Sequence, residues 1–183
     1  MGAYGDGGAI FTNNDSLAQK MRVLANHGMD KRYYHDLVGL NSRLDSMQAA
    51  VLDVKLKYLD NYNEKRRNSA ERYSNNLKGI TNVITPNIPS DHQGHVFHQY
   101  TLRILDSKRD LLAEYLTKNS IPFGIYYPVP LHKQKAYYNP EVENNLFPVT
   151  NKAVKEVISL PMHTELSIDQ IDFISEKIIQ FLN

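Results

Sequence analysis

The chain has 183 residues, 42% of them hydrophobic, which is enough for one core or two small ones, and 21 basic against 20 acidic side chains leave a net charge of +1. So even a balance offers no broad basic field to gather nucleic acid or anionic lipid, and neither is expected as a partner. The absence of cysteine excludes disulfides, thiolate zinc sites and cysteine nucleophiles; with no basic leader and no apolar run near the ~20 residues that span a bilayer, the sequence reads as cytoplasmic.

The chain opens on a glycine turn, Gly2, Gly5, Gly7 and Gly8, whose spacing is neither a dinucleotide fingerprint nor a P-loop. Such a turn is either plain chain reversal or a place where backbone N–H groups approach an anion. Ala9–Thr12 then reads as a short strand, and residues 13–16 as a turn that caps a helix through Leu17, Met21 and Leu24. His27-Gly28 closes that helix. After a tyrosine-rich stretch with Lys31 and Arg32, an apolar stripe runs from Leu44 through Met47, Val51, Leu52, Leu56, Leu59 and Tyr62 to Ala70, Tyr73 and Leu77. No proline or glycine interrupts it between residues 40 and 78, so it reads as one long helix with room for a bend.

Gly79 ends that helix, and Pro86, Pro89 and Gly94 mark a loop. "HVFHQYTLRIL" alternates, with Val96, His98, Tyr100, Leu102 and Ile104 on one face, and reads as a half-buried strand. Asp106 or Ser107 is expected to cap a helix through Leu111, Leu112, Tyr115 and Leu116. "IPFGIYYPVPLH" follows as a strand broken by two prolines. Lys152–Val157 reads as helix, "VISLPM" as a short strand, and Ser167 as the cap of a last helix with Ile168, Ile171, Ile174, Ile178 and Phe181 on its apolar side. Strands and helices in alternation make the second half an α/β unit.

His92, His95 and His98 stand three apart, but Gly94 and the strand pattern scatter them, so no metal site is expected; His98, on the apolar face, reads as a satisfied core histidine. Lys65-Arg66-Arg67 and Lys31-Arg32 read as solvated faces. "GLNSRLD" offers three N-cap types in Asn41, Ser42 and Asp45, and also an amide and a guanidinium, Asn41 and Arg43, suited to an anion; the two readings can hold together. "YYPVPLHKQ" is either an aromatic-rich turn or a rigid loop that presents Tyr126, Tyr127 and His132 as donors and stacking surfaces.

Taken in order, "GAYGDGGAIFTNND", "NHG", "VGLNSRLDSMQAAVL", "HVFHQYTLR", "IYYPVPLHKQ" and "SLPMHTELS" resemble the DegT/DnrJ/EryC1/StrS family of pyridoxal-phosphate-dependent sugar-nucleotide aminotransferases, of fold type I. The resemblance runs over essentially the whole chain and corresponds to the C-terminal half of such an enzyme. It implies an α/β fold, with residues 1–43 as the end of the large cofactor-binding domain, 44–78 as a long bridging helix and 79–183 as a small C-terminal α/β domain.

The family's Schiff-base lysine lies in a phrase like Lys-Asn-Leu-Gly directly ahead of the glycine turn, which would put it two residues before Met1. No lysine in this sequence follows that phrase, so no catalytic residue is nominated, covalent attachment of pyridoxal phosphate to this chain is not expected, and the chain alone is expected to be inactive. The resemblance implies that Asn41 reaches the cofactor phosphate of the neighbouring subunit and that Arg43 contacts the anionic part of the substrate. It implies that Tyr126 and Tyr127 line the sugar-nucleotide pocket, with His132 on the same substrate-binding phrase. The implied reaction moves an amino group from an amino acid, glutamate, to a nucleotide-linked keto sugar. Its implied assembly is a homodimer, or a pairing with a chain that supplies the N-terminal half. The rival reading is a non-catalytic sugar-nucleotide-binding or regulatory module.

Overall fold

The structure is a computed structural model and describes residues 2–139 and 146–183. The chain divides into two compact units, Met1–Asp60 and Asn61–Asn183.

In the first unit, helix α1 (Asp15–Ala25) starts at Asn14, whose side-chain oxygen accepts from the Leu17 N–H at 3.0 Å. It stops as expected at His27 and Gly28, both in the left-handed region (φ 59 and 72), with the Gly28 N–H returning to the Val23 carbonyl at 2.8 Å. A Cβ on Gly28 would collide with the Leu37 carbonyl, so glycine is required there. The expected strand at Ala9–Thr12 does not form. A strand exists only through a neighbour, and among the described residues none pairs with it, leaving Ile10 and Phe11 exposed. Helix α2 (Ser46–Leu56) is capped by Asp45, which accepts from the Met47 N–H at 2.8 Å.

The single helix expected over 44–78 is divided. α2 ends at Leu56 and α3 runs Leu59–Asn76, with the Tyr58 N–H bonded to the Lys55 carbonyl at 3.1 Å, three residues back rather than four. That tightened turn interrupts the helix without proline or glycine. The apolar stripe divides with it: α2 has no buried residue, whereas α3 buries Ala70 and Tyr73.

The second unit is built on an antiparallel sheet of β1 (Val83–Ile84), β2 (Tyr100–Ile104) and β3 (Val157–Leu160), in that spatial order. Val83 pairs with Ile104, and Tyr100 with Leu160. Tyr100, Leu102 and Ile104 alternate inward from β2 and join Tyr73 and Leu77, Ile158, and Leu112 and Leu116 of α4 (Arg109–Lys118) in one core. α6 (Ile168–Leu182) adds Ile171, Ile174 and Ile178, and α5 (Pro148–Glu156) precedes β3. The rings of Tyr73 and Tyr100 stack at 5.0 Å, and the Tyr100 hydroxyl shares a 2.8 Å hydrogen bond with Ser74. Burial pushes the Tyr100 phenol up to about 12 and raises Tyr73 further. Ser167 caps α6 as expected, in a reciprocal capping box with Gln170.

Four expectations in this unit need correction. β2 begins at Tyr100 rather than Val96, because Phe97 takes φ 46; the alternation breaks there, so Phe97 turns inward and His98 outward, and His98 is not a core histidine. Neither Asp106 nor Ser107 caps α4: both stand at φ 57 in the turn before it, and Lys108 takes the cap position without a side-chain bond. The segment from Ile121 makes no strand beyond one bridge, Gly124 to Ser159, before its prolines lead into a short 3-10 turn at Leu131–Lys133. The run Lys65-Arg66-Arg67 is not simply solvated, since Arg67 is buried against Glu64, and Arg66 reaches backbone carbonyls. No helix among the described residues is long and apolar enough to cross a membrane.

Candidate functional site

In the first unit, residues 39–43 lie along the C-terminal end of α1. The Leu40 N–H donates to the Leu24 carbonyl (2.8 Å), the Ser42 N–H to Ala25 (2.9 Å), and Asn41 faces Asn26 across an isolated antiparallel bridge. The approach is close enough that a Cβ on Gly39 would strike the backbone at His27 and Gly28. On this edge Arg43 Nε donates to Asn41 Oδ1 at 2.9 Å. The bond occupies the amide oxygen, so the Asn41 NH₂ and the rest of the Arg43 guanidinium are left as donors on two exposed residues. Two neighbouring donors, one cationic, suit an oxyanion such as a phosphate or carboxylate. The cap and the exposed donors therefore separate within "GLNSRLD": Asp45 caps α2, and Asn41 pairs with Arg43.

In the second unit, the Gly124 N–H donates to the Ser159 carbonyl at 3.0 Å and the Ser159 N–H to the Gly124 carbonyl at 2.7 Å, which fastens the aromatic loop to the edge of β3. The Tyr126 ring folds back over Gly124, where a Cβ would overlap it. Tyr127 stands edge-on to Tyr126 with ring centroids 6.1 Å apart, and it is 75% exposed. Tyr126 forms one wall of a cleft of about 340 Å³ that is also lined by His98, Gln99, Phe123, Gly124 and Met162. His132 is not in its lining: it sits on the 3-10 turn with its ring 4.8 Å from that of Phe147, and its buried Nε2 has no hydrogen-bond partner.

The nominated residues thus fall into two groups, Asn41 with Arg43 in one unit and Tyr126 with Tyr127 in the other, with His132 farther along the loop. The sequence reading missed His98, Gln99 and Met162 as cleft residues. "SLPM" carried a signal for Met162, whereas the alternating pattern pointed His98 the wrong way. The other two histidines of the set bond elsewhere. His92 lies between Glu64 (3.1 Å) and Glu71 (3.2 Å), and His95 Nδ1 accepts from the Phe97 N–H at 2.8 Å. Arg67 first and His92 second hold the Glu64 carboxyl below its ordinary range.

Against known proteins, the profile of the DegT/DnrJ/EryC1/StrS aminotransferase family matches residues 1–179. The chain is 45% identical over 183 residues to a protein of Geobacillus stearothermophilus named pleiotropic regulatory protein, covering 99% of this chain and 48% of the relative. It is 41% identical to a UDP-2-acetamido-2-deoxy-3-oxo-D-glucuronate aminotransferase of Pseudomonas aeruginosa, covering 95% of this chain and 46% of that one. Its structure is similar to that of DesV from S. venezuelae, with a TM-score of 0.92 at 32% identity, over 99% of this chain and 48% of the other. The chain spans about half the length of the curated relatives it matches.

Proposed function

Because this chain belongs to the DegT/DnrJ/EryC1/StrS aminotransferase family, we propose that it forms the C-terminal part of an enzyme that moves an amino group from glutamate to a nucleotide-linked keto sugar. The observation that carries this reading is the Arg43–Asn41 hydrogen bond, which turns the Asn41 NH₂ outward as a donor beside a guanidinium. That donor set fits the phosphate of pyridoxal phosphate, the cofactor the family implies, and Asn41 would hold it there for the neighbouring subunit. Pyridoxal phosphate, when bound, supplies the electron sink that lets the amino group leave one carbon and join another.

The remaining residues bind and orient. Arg43 contacts the anionic part of the substrate, Tyr126 and Tyr127 line the sugar-nucleotide pocket, and His132 supports the loop that carries them. Residues 1–43 belong to the end of the large domain and 79–183 to the small one. A homodimer, or a chain that supplies the N-terminal half, completes the site. None of the lysines in this sequence follows the family's lysine phrase, so this chain alone does not turn over glutamate.

Calorimetric titration of the chain with UDP-N-acetylglucosamine, a stable nucleotide-linked sugar, tests the binding role. Arg43→Ala and Tyr127→Ala are each expected to weaken binding about tenfold, and Arg43→Lys to restore little, because an ammonium lacks the fork that engages Asn41 and an anion together. No binding of any nucleotide-linked sugar, with a chain that carries the lysine phrase supplied in trans to complete the site, would overturn the reading.

A second reading is favoured by the regulatory name of the 45%-identical relative: a module that binds a sugar nucleotide without turnover. Supplying in trans a chain with the lysine phrase separates the two, because restored glutamate turnover removes the regulatory reading.

A further inference from the structure

We propose that His98 and Gln99 read an uncharged, hydrogen-bonding ring of the nucleotide-linked sugar in the cleft beside Tyr126, and that Arg66 positions them. The inference rests on the binding role proposed above and adds which part of the ligand this cleft takes and which residues recognise it.

The lining decides the ligand chemistry. Its walls are aromatic or apolar at Pro122, Phe123, Tyr126, Pro161 and Met162, and no lysine, arginine, aspartate or glutamate lines it. Arg66, the cation beside the rims, spends its Nη1 on backbone carbonyls and does not line the cleft, so a diphosphate within the walls would lose water without a charged side chain to pair with, which is costly. A ring with an apolar face and a polar edge suits the walls, since Tyr126 and Phe123 can cover the face. The volume of about 340 Å³ lies at the small end of ligand clefts, right for one ring system rather than a whole sugar nucleotide.

Hydrogen-bonding capacity assigns the readers. The backbone groups of Gly124 and Ser159 satisfy each other, and Ser159 Oγ is paired with Thr101 Oγ1 at 2.8 Å. Among the described residues no hydrogen bond engages the side chain of His98 or Gln99. Between them an imidazole and a primary amide offer donors and acceptors together, which matches the edge of a hexose or of a pyrimidine.

Arg66 holds the two rims. From α3 its Nη1 lies 3.3 Å from the His98 carbonyl, 3.5 Å from that of Phe97 and 3.2 Å from that of Met162. One guanidinium nitrogen thus joins the turn before β2 to the chain after β3, and His98 and Met162, one from each, both line the cleft. Buried Phe97, at φ 46, fixes the turn that sends the next side chain outward.

The test is a titration of the ¹⁵N-labelled chain with UDP-N-acetylglucosamine, uridine, N-acetylglucosamine and pyrophosphate, following the amides of Gln99, Gly124 and Met162. The sugar nucleotide and one of the two ring fragments are expected to shift these amides, and the fragment that does so identifies the ring. Pyrophosphate is expected to leave them unmoved. His98→Ala and Gln99→Ala are each expected to weaken the sugar nucleotide about three- to tenfold. Arg66→Ala should weaken it as well, with Arg66→Lys recovering most of the loss. Unchanged affinity in both alanine variants of the cleft, or pyrophosphate shifting the same amides, overturns this inference while the wider reading stands. No shift anywhere with the sugar nucleotide, with the completing chain that carries the lysine phrase also present, removes both.

Discussion

Asp172 shows how one side chain couples this fold to pH. Arg72 donates to it twice, at 2.8 and 2.6 Å, and Asn76 once at 2.7 Å. Arg72 foremost, with Asn76 second, holds the Asp172 carboxyl down to about 2. An unfolded aspartate titrates near ~3.9, so between that value and about 2 the unfolded chain binds more protons than the folded one. The contribution of Asp172 to stability is therefore present above pH ~4 and lost as the pH falls towards 2. In urea denaturation, Asp172→Asn is expected to lower the midpoint at pH 6 and to converge on the parent chain near pH 2. A constant offset across that range would show that the carboxylate charge is not what the bonds act on. Asp172 in this role was invisible in the sequence, because its partners lie 96 and 100 residues away.

At the scale of elements, α6 was the most legible. Its apolar residues recur with helical period, and Ser167 with Gln170 supplied the start. Ser167→Ala removes the capping box and should cost about 1 kcal/mol in a two-state denaturation experiment. Because Ile171, Ile174 and Ile178 of this helix lie in the core, the loss is expected in the global transition of the second unit rather than as fraying alone. Elements that depend on a partner were the ones misread. Ala9–Thr12 has a strand's composition but no ladder, and "HVFH" shares the alternation of β2 only until Phe97 turns the chain. A helix closes its hydrogen bonds within itself, whereas a strand borrows them from elsewhere, so local pattern serves the first better.

For the molecule as a whole, the two units differ in how much they bury. Among the described residues sixteen hydrophobic residues form the core cluster, all from the second unit, whereas Val23, still 8% exposed, is the one buried hydrophobic residue of the first. Stability follows burial, so amides of α1 and α2 are expected to exchange with deuterium well before those of β2 and α6. Equal protection would show that the first unit is covered in solution, for instance by a second copy.

The sequence by itself determined the family, the helices with caps of their own, and the donor chemistry of "GLNSRLD" and "YYPVPLHKQ", because these reside in local order and residue type. Only tertiary structure decided that the long apolar stripe breaks at Lys57–Tyr58, that Asn41 is oriented by Arg43, and that His98 faces a cleft. Each depends on what another part of the chain places opposite, through a backbone turn such as that at Phe97, a shared hydrogen bond, or a side chain such as Arg66 reaching from a distant helix. Periodicity along the chain carries no record of those meetings.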